Sequence, residues 1–322
     1  MMRRRLLLGA LAGPVLAAPA LAQPEWPARP VRLIVPFPPG GSNDALARPL
    51  ADTLGRLLGQ PFVIENRGGA GSTIGTTELT RSPTDGYGVM LTSSTFATSA
   101  ATQRTPYDAS RDLETIAVLA TSPLCMLASP SFAPNSMAEA VAYIRAHPGD
   151  VHYGSSGPGS IGHLSGALFA LRAGRLDMVH VPYRGTGAVL NDMVAGTIAL
   201  TFTTVTAAAG LIADRRIKLL GWTMDQLPAN APPAPTPSQS GLPDYEASIW
   251  WALMARRGIP APIAARLHHA VQEALGEGRL AANMQQEGAT PSRLSRDESE
   301  RFIQADLTRW RDLATSENIR VE

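Results

Sequence analysis

From Val31 onward, short apolar runs alternate with segments of helical spacing, and glycine or hydroxyl residues mark the junctions. VRLIVPF (31–37) precedes a helix from about Asp44 to Leu58, and PFVIENR (61–67) precedes one from about Ser72 to Ser82. GVMLTSS (88–94) and IAVLATS (116–122) come next, and LCMLASP (124–130) leads to a helix from about Met137 to His147. VHYGSS (151–156), MVHVPY (178–183) and ALTFTT (199–204) precede helices over about 161–173, 186–195 and 207–213, and IKLLGWT (217–223) ends the series. Alternation of this kind builds parallel sheets covered by helices. Runs that are apolar throughout suit strands buried on both faces.

The length exceeds that of a usual single domain, so two α/β lobes are expected. APPAPTPSQSGLPDYE (231–246) is Pro-rich and polar, and reads as a connection. Beyond it lie one strand candidate, SIWWALMA (248–255), a Pro-started helix near 262–275 and an amphipathic helix near 296–314. One strand cannot make a sheet, so this tail is expected to return to the first lobe. The expected organisation is a leader over 1–22, a first lobe over 23–123, a second over 124–223, and a linker and return over 224–322, with a ligand cleft between lobes.

The leader has Arg3, Arg4 and Arg5 before an apolar stretch that ends at Ala20-Leu21-Ala22. That is the form of a secretory signal peptide cleaved after Ala22, and the paired arginines also permit twin-Arg export. Removing its three arginines leaves 25 basic against 27 acidic residues, a net charge of −2. Such a balance argues against a nucleic-acid binder. Cys125 is the one cysteine, so no internal disulfide is possible, and its apolar run SPLCMLAS points to a buried inert thiol. An exported monomer is expected.

Five stretches lie at strand ends, where open α/β sheets bind ligands. The first, VPFPPGGSNDALAR, offers Phe37, Gly40, Gly41, Ser42, Asn43 and Asp44 at a helix start. Glycines let backbone N–H groups approach a ligand, and the helix dipole favours an anion. The second, ENRGGAGSTIG, repeats that design. The third is hydroxyl-rich and includes Ser93 and Ser94. The fourth, VHYGSSGPGSIGHL, holds Ser155, Ser156, Gly157, Gly159, Ser160 and His163, and the fifth, VPYRGTG, holds Tyr183 and Arg184. Together they supply hydroxyls, amides and N–H groups but few acids or bases, which is the chemistry of holding an anion.

Gly157, Gly159 and Gly162 also spell G-x-G-x-x-G, a dinucleotide fingerprint. The acid at the expected spacing, Asp177, precedes the next strand instead of ending it. NAD is therefore not expected, and no other cofactor is. The enzyme alternative is a secreted serine-type ester hydrolase using Ser155 or Ser156 with His163, or with His180 and Asp177. No G-x-S-x-G elbow supports it. The six histidines form no H-E-x-x-H, and no metal site is expected.

Taken in order, WPARPVRLIVPFPPGGSNDALAR, GQPFVIENRGGAGSTIG, DGYGVMLTSS, TPYDASRDLETIAVLA, YGSSGPGSIGHLSGALF and MVHVPYRGTGAVLNDMVAG resemble the Bug family. These are TctC-like extracytoplasmic receptors of tripartite tricarboxylate transporters. The resemblance implies a two-lobe, type II-like periplasmic binding protein that holds a small organic carboxylate and works with membrane permease subunits. It implies that Phe37–Asp44 and Ser155–Ser160 carry the carboxylate from opposite lobes. The chain departs from the family at Arg184, where lysine is common, and at Thr203-Thr204, where Asp-Asn is common. With Thr203 in that place and so few acids in the loops, the expected ligand is a carboxylate without an amine.

Overall fold

The computed structural model describes residues 25–228 and 231–320. The expected leader and its cleavage site lie outside those residues.

Two sheets form. The larger joins β1 (Val31–Val35), β2 (Phe62–Asn66), β3 (Gly88–Ser93), β4 (Leu113–Pro123), β10 (Ser248–Arg256) and β11 (Thr290–Pro291), in the order β11-β4-β10-β3-β1-β2. The smaller joins β5 (Cys125–Ala128), β6 (His152–Ser155), β7 (Val179–Pro182), β8 (Leu200–Thr203) and β9 (Lys218–Trp222), in the order β7-β6-β8-β5-β9. Helices α1 (Ser42–Leu58), α2 (Thr73–Thr80), α3 (Thr95–Thr102), α8 (Ala261–Ala274), α9 (Gly278–Gln286) and α10 (Arg296–Ser316) belong with the larger sheet. Helices α5 (Ile161–Arg172) and α6 (Thr186–Val194) pack on the smaller one, and α4 (Met137–Ala146) and α7 (Ala209–Ala213) lie within its stretch of chain.

Both sheets are mixed and flanked by helices, within the parallel or mixed arrangement expected. β1 runs parallel to β2 and β3, and β6 runs parallel to β7 and β8. The antiparallel strands come from the two places where the chain passes between sheets. β4 runs almost without a break into β5, and β9 leads back to β10. These two ribbons run side by side in opposite directions, β10 against β4 and β9 against β5. Thr223 ties them together. Its Oγ1 accepts from the Leu124 N–H at 2.9 Å, and carbonyls of Leu124 and Ala247 lie within 2.8 and 2.6 Å of it.

The tail returns to the larger sheet as expected. β10 inserts between β3 and β4, with seven of its nine residues buried. Asp306 of α10 accepts from the indole N–H groups of Trp250 at 2.8 Å and Trp310 at 3.0 Å. A buried carboxylate that meets donors from strand and helix fixes the docking angle of α10, since a buried polar group left unpaired is costly. The sequence reading passed over α3, α9 and β11.

Candidate functional site

A cleft of about 550 Å³ lies between the two sheets. The turn from β1 into α1 forms one wall. Here Pro38-Pro39-Gly40-Gly41 ends the strand, and Gly40 takes φ +86°, a left-handed conformation that suits glycine. Gly41 is the N-cap of α1 and provides no side-chain cap. The first N–H groups of a helix have no partner within the helix, and most helices cover them with a cap side chain. Those of α1 stay open toward the cleft.

The turn is rigid. The Asp44 carboxylate accepts from the Gly40 N–H at 3.0 Å, from Arg48 at 2.9 and 3.0 Å, and from Asn66 at 3.1 Å. Asn66 also donates to the Phe37 carbonyl at 3.1 Å. Burial pushes the Asp44 carboxyl up, but these donors outweigh it and hold the group below its ordinary range. The second glycine stretch supports this turn from behind. A Cβ on Gly68 would come within 2.9 Å of Pro38, and one on Gly75 within 2.8 Å of Pro36.

The facing wall comes from the smaller sheet. Arg184, Gly185, Thr186 and Gly187 line the cleft at the start of α6. Gly185 caps α6 with φ +110° and again provides no side-chain hydrogen bond. Ser156, Ile161, Gly162 and Thr203 also belong to this wall, while Ser93 and Thr95 at the start of α3 lie on the first side. Two uncapped helix starts from different sheets therefore open into one space. Each carries the positive end of a helix dipole and free N–H groups, which together attract an anion.

Of the residues singled out by sequence, Phe37, Gly40, Gly41, Ser42, Asn43, Ser93, Ser156, Arg184 and Thr203 line this cleft. The others lie away from it. Asp44 is turned inward to its partners. Ser94 is fully buried, and its N–H donates to the Trp250 carbonyl at 3.1 Å. Tyr183 donates to Asp192 at 2.6 Å. Ser160 caps α5 itself, accepting from the His163 N–H, and the His163 ring accepts from the Gly159 N–H at 3.2 Å. The start of α5 is thus closed by its own side chains. Gly159 faces α3, where a Cβ would come within 2.7 Å of Thr102, and Gly157 faces the Tyr183 carbonyl.

Ser155 is buried, and its hydroxyl lies 2.9 Å from the Gly157 carbonyl and 2.7 Å from His180 Nε2. His180 stacks on His163 with ring centroids 3.7 Å apart. Burial pushes His163 down to about 4; burial and the His163 ring push His180 down to about 3. Both are neutral at pH 7. This cluster sits away from the cleft, with Ser155 hydrogen-bonded to a structural turn, while Ser156, which lines the cleft, makes no hydrogen bond to either histidine among the described residues.

Several lining residues were not foreseen, among them Leu124, Ile249 and Glu287. Leu124 and Ile249 come from the two crossings. Glu287 ends α9, and burial pushes its carboxyl up to about 7. The signal for it was an acid at a helix carboxyl end, where the dipole disfavours negative charge. Among the described residues, no helix is long and apolar enough to cross a membrane, and no cluster of three metal-ligating side chains occurs.

Comparison with known proteins agrees with this architecture. The model of the tripartite tricarboxylate transporter family receptors matches residues 46–319. Over 299 residues the chain is 34% identical to protein BugT of Bordetella pertussis, covering 92% of this chain and 91% of that one. The solved structure of R. palustris Rpa4515 with adipate has a TM-score of 0.83 at 32% identity, covering 92% of this chain and 99% of that one. MatC (Rpa3494) from Rhodopseudomonas palustris, with bound malate, has a TM-score of 0.80 at 28% identity, covering 89% and 99%. A match of that extent, on a fold with an anion-seeking cleft between its sheets, means that the chain belongs to the TctC family of tripartite tricarboxylate transporter receptors.

Proposed function

We propose that this protein is a periplasmic receptor that binds a small organic carboxylate between its two lobes and delivers it to membrane permease subunits. The observation that carries this reading is the pair of uncapped helix starts, α1 and α6, that face one cleft from different sheets. A carboxylate between them accepts backbone N–H groups from both sides, with hydroxyls of Ser42, Ser93 and Thr203 close by. Arg184, exposed and lining the cleft, pairs with a second carboxylate of the ligand. The likeness to structures that hold adipate and malate supports this ligand class.

In this reading the protein acts as a monomer and catalyses nothing. Its lobes are 23–123 with the return over 224–322, and 124–223. Residues 1–22 direct export and are cleaved after Ala22. The ligand carries no amine.

A thermal-shift series with adipate, malate and further dicarboxylates tests the reading. A ligand at 100 times its Kd stabilises by about 2.7 kcal/mol, so at least one acid should raise the melting temperature clearly. Ester turnover that disappears in Ser156→Ala or Ser155→Ala would overturn the receptor reading in favour of a hydrolase.

A further inference from the structure

Among the described residues that line the cleft, Glu287 is the one carboxyl. It comes from none of the strand-end loops, and its backbone is pinned at the seam between the sheets. Its carbonyl accepts from Ser122 of β4 at 2.9 Å, and the Gln286 carbonyl accepts from Thr206, just past β8, at 2.7 Å. The backbone that carries this side chain is therefore held to both sheets.

Nothing nearby favours its ionised form. Oε2 is buried and has no hydrogen-bond partner among the described residues. The carboxyl stands at the C-terminal end of α9, where the helix dipole opposes a negative charge. Of the charged groups of α1, the helix packed against α9, Asp44 pairs with Arg48 and Arg56 with Glu277, and Asp52 is exposed to solvent. β11 carries no charge, and the side chains closest to Gly288 are Ser122, Val205 and Pro228. Among the described residues, Arg184 is the only other charged one lining the cleft, and it makes no ion pair with Glu287.

We propose that Glu287 acts in the cleft as the neutral acid, donating its O–H to an oxygen of the bound carboxylate ligand, so that the receptor takes up ligand and proton together. The inference rests on the reading of the cleft as a carboxylate site. An ionised Glu287 would repel the incoming anion at short range in a partly dry space. The neutral form removes that repulsion and supplies the donor that an acceptor-only ligand needs. Burial already pushes the group up to about 7. An anion beside it pushes it further the same way. Ligands with a second carboxylate or a hydroxyl acceptor, reaching from the α1 start to the end of α9, satisfy both ends. An ammonium would require the opposite charge state.

Calorimetric titration with adipate, malate and further amine-free dicarboxylates tests this at pH 6.5 and 8.5, where those acids are already ionised. In the wild-type protein, affinity should fall about 20-fold between the two pH values, as expected when one proton must be taken up by a group near 7. Repeating the pH 8.5 titration in buffers of different ionisation heat should show uptake approaching one proton per ligand. Glu287→Gln, which stays neutral, should keep the low-pH affinity at both values. Wild-type binding that is independent of pH, or stronger at pH 8.5, overturns the inference and leaves the receptor reading standing. Aspartate or glutamate binding that needs ionised Glu287 also overturns it, by making the residue an ammonium partner. If no acid binds at either pH, the receptor reading itself falls and this inference with it.

Discussion

Gly41 stands where most helices carry a capping side chain, and its lack of one keeps the α1 start available. Its φ is −86°, and a Cβ there would meet nothing within 4 Å. Gly41→Ala should therefore fold and bind almost normally. Gly41→Asp should bind at least about 100-fold more weakly in calorimetry, because its carboxylate occupies the N–H groups and repels the anion. Asp is itself a good N-cap, so the same variant should melt no lower than the wild type. Loss of binding at undiminished stability is the signature that separates a blocked site from a damaged fold. The neighbouring Gly40, with positive φ, does not offer so clean a test. At this scale the sequence made the first turn legible, because glycines before a helix have few other uses. It could not tell that Asp44 points inward, since its partner Asn66 meets it only once β2 lies beside β1.

Helix ends decide which elements face a ligand. By spacing, the starts of α1, α5 and α6 look alike, each following an apolar strand and glycines. α5 differs because Ser160 folds back on its own first turn, while α1 and α6 begin at bare glycines. The strands and longer helices were legible from periodicity. α3 was not, because TFATSAAT reads as a polar loop; in place, Thr98 and Thr102 turn their hydroxyls back to carbonyls of the preceding turn. The direction of the strands at the crossings was equally hidden, because an apolar run looks the same whichever way its neighbour runs. The stacked His163 and His180 beneath α5 make a pH prediction. Their folded values lie below the ordinary 6.5, so the unfolded chain binds more protons between 6.5 and about 4. Their stabilising effect is complete above 6.5 and is lost as pH falls through that window. Denaturant melts at pH 7.5 and 5.0 should show a loss of roughly 1 to 3 kcal/mol, His180 being partly solvated. Glu287, raised in the fold, works in the opposite sense and is lost as pH rises through about 7. His180→Gln leaves that contribution in place and should remove a large part of the acid-side loss. An unchanged slope in the variant would show that the histidines are not its source.

At the scale of the molecule, the cleft is bounded by two bodies joined through two antiparallel ribbons, and Thr223 links those ribbons by hydrogen bonds on both. Half of the proposed anion site lies on each side, so ligand binding should draw the bodies together. Small-angle scattering should give a smaller radius of gyration at saturating ligand than without it, and an unchanged radius would count against closure. The same ribbons set the order in which the molecule can assemble. β10 lies between β3 and β4 in space, yet in sequence the whole smaller sheet separates it from them. The smaller sheet uses consecutive strands, β5 to β9, and has what it needs once Trp222 exists. The larger sheet cannot, because until Ser248–Arg256 arrives its centre is a gap with an open strand edge on either side. Long-range pairing is slow, and open edges invite wrong partners. The half of the protein that comes first in the chain is thus the last to become native, and its two inner edges are where a half-made molecule is most exposed to aggregation.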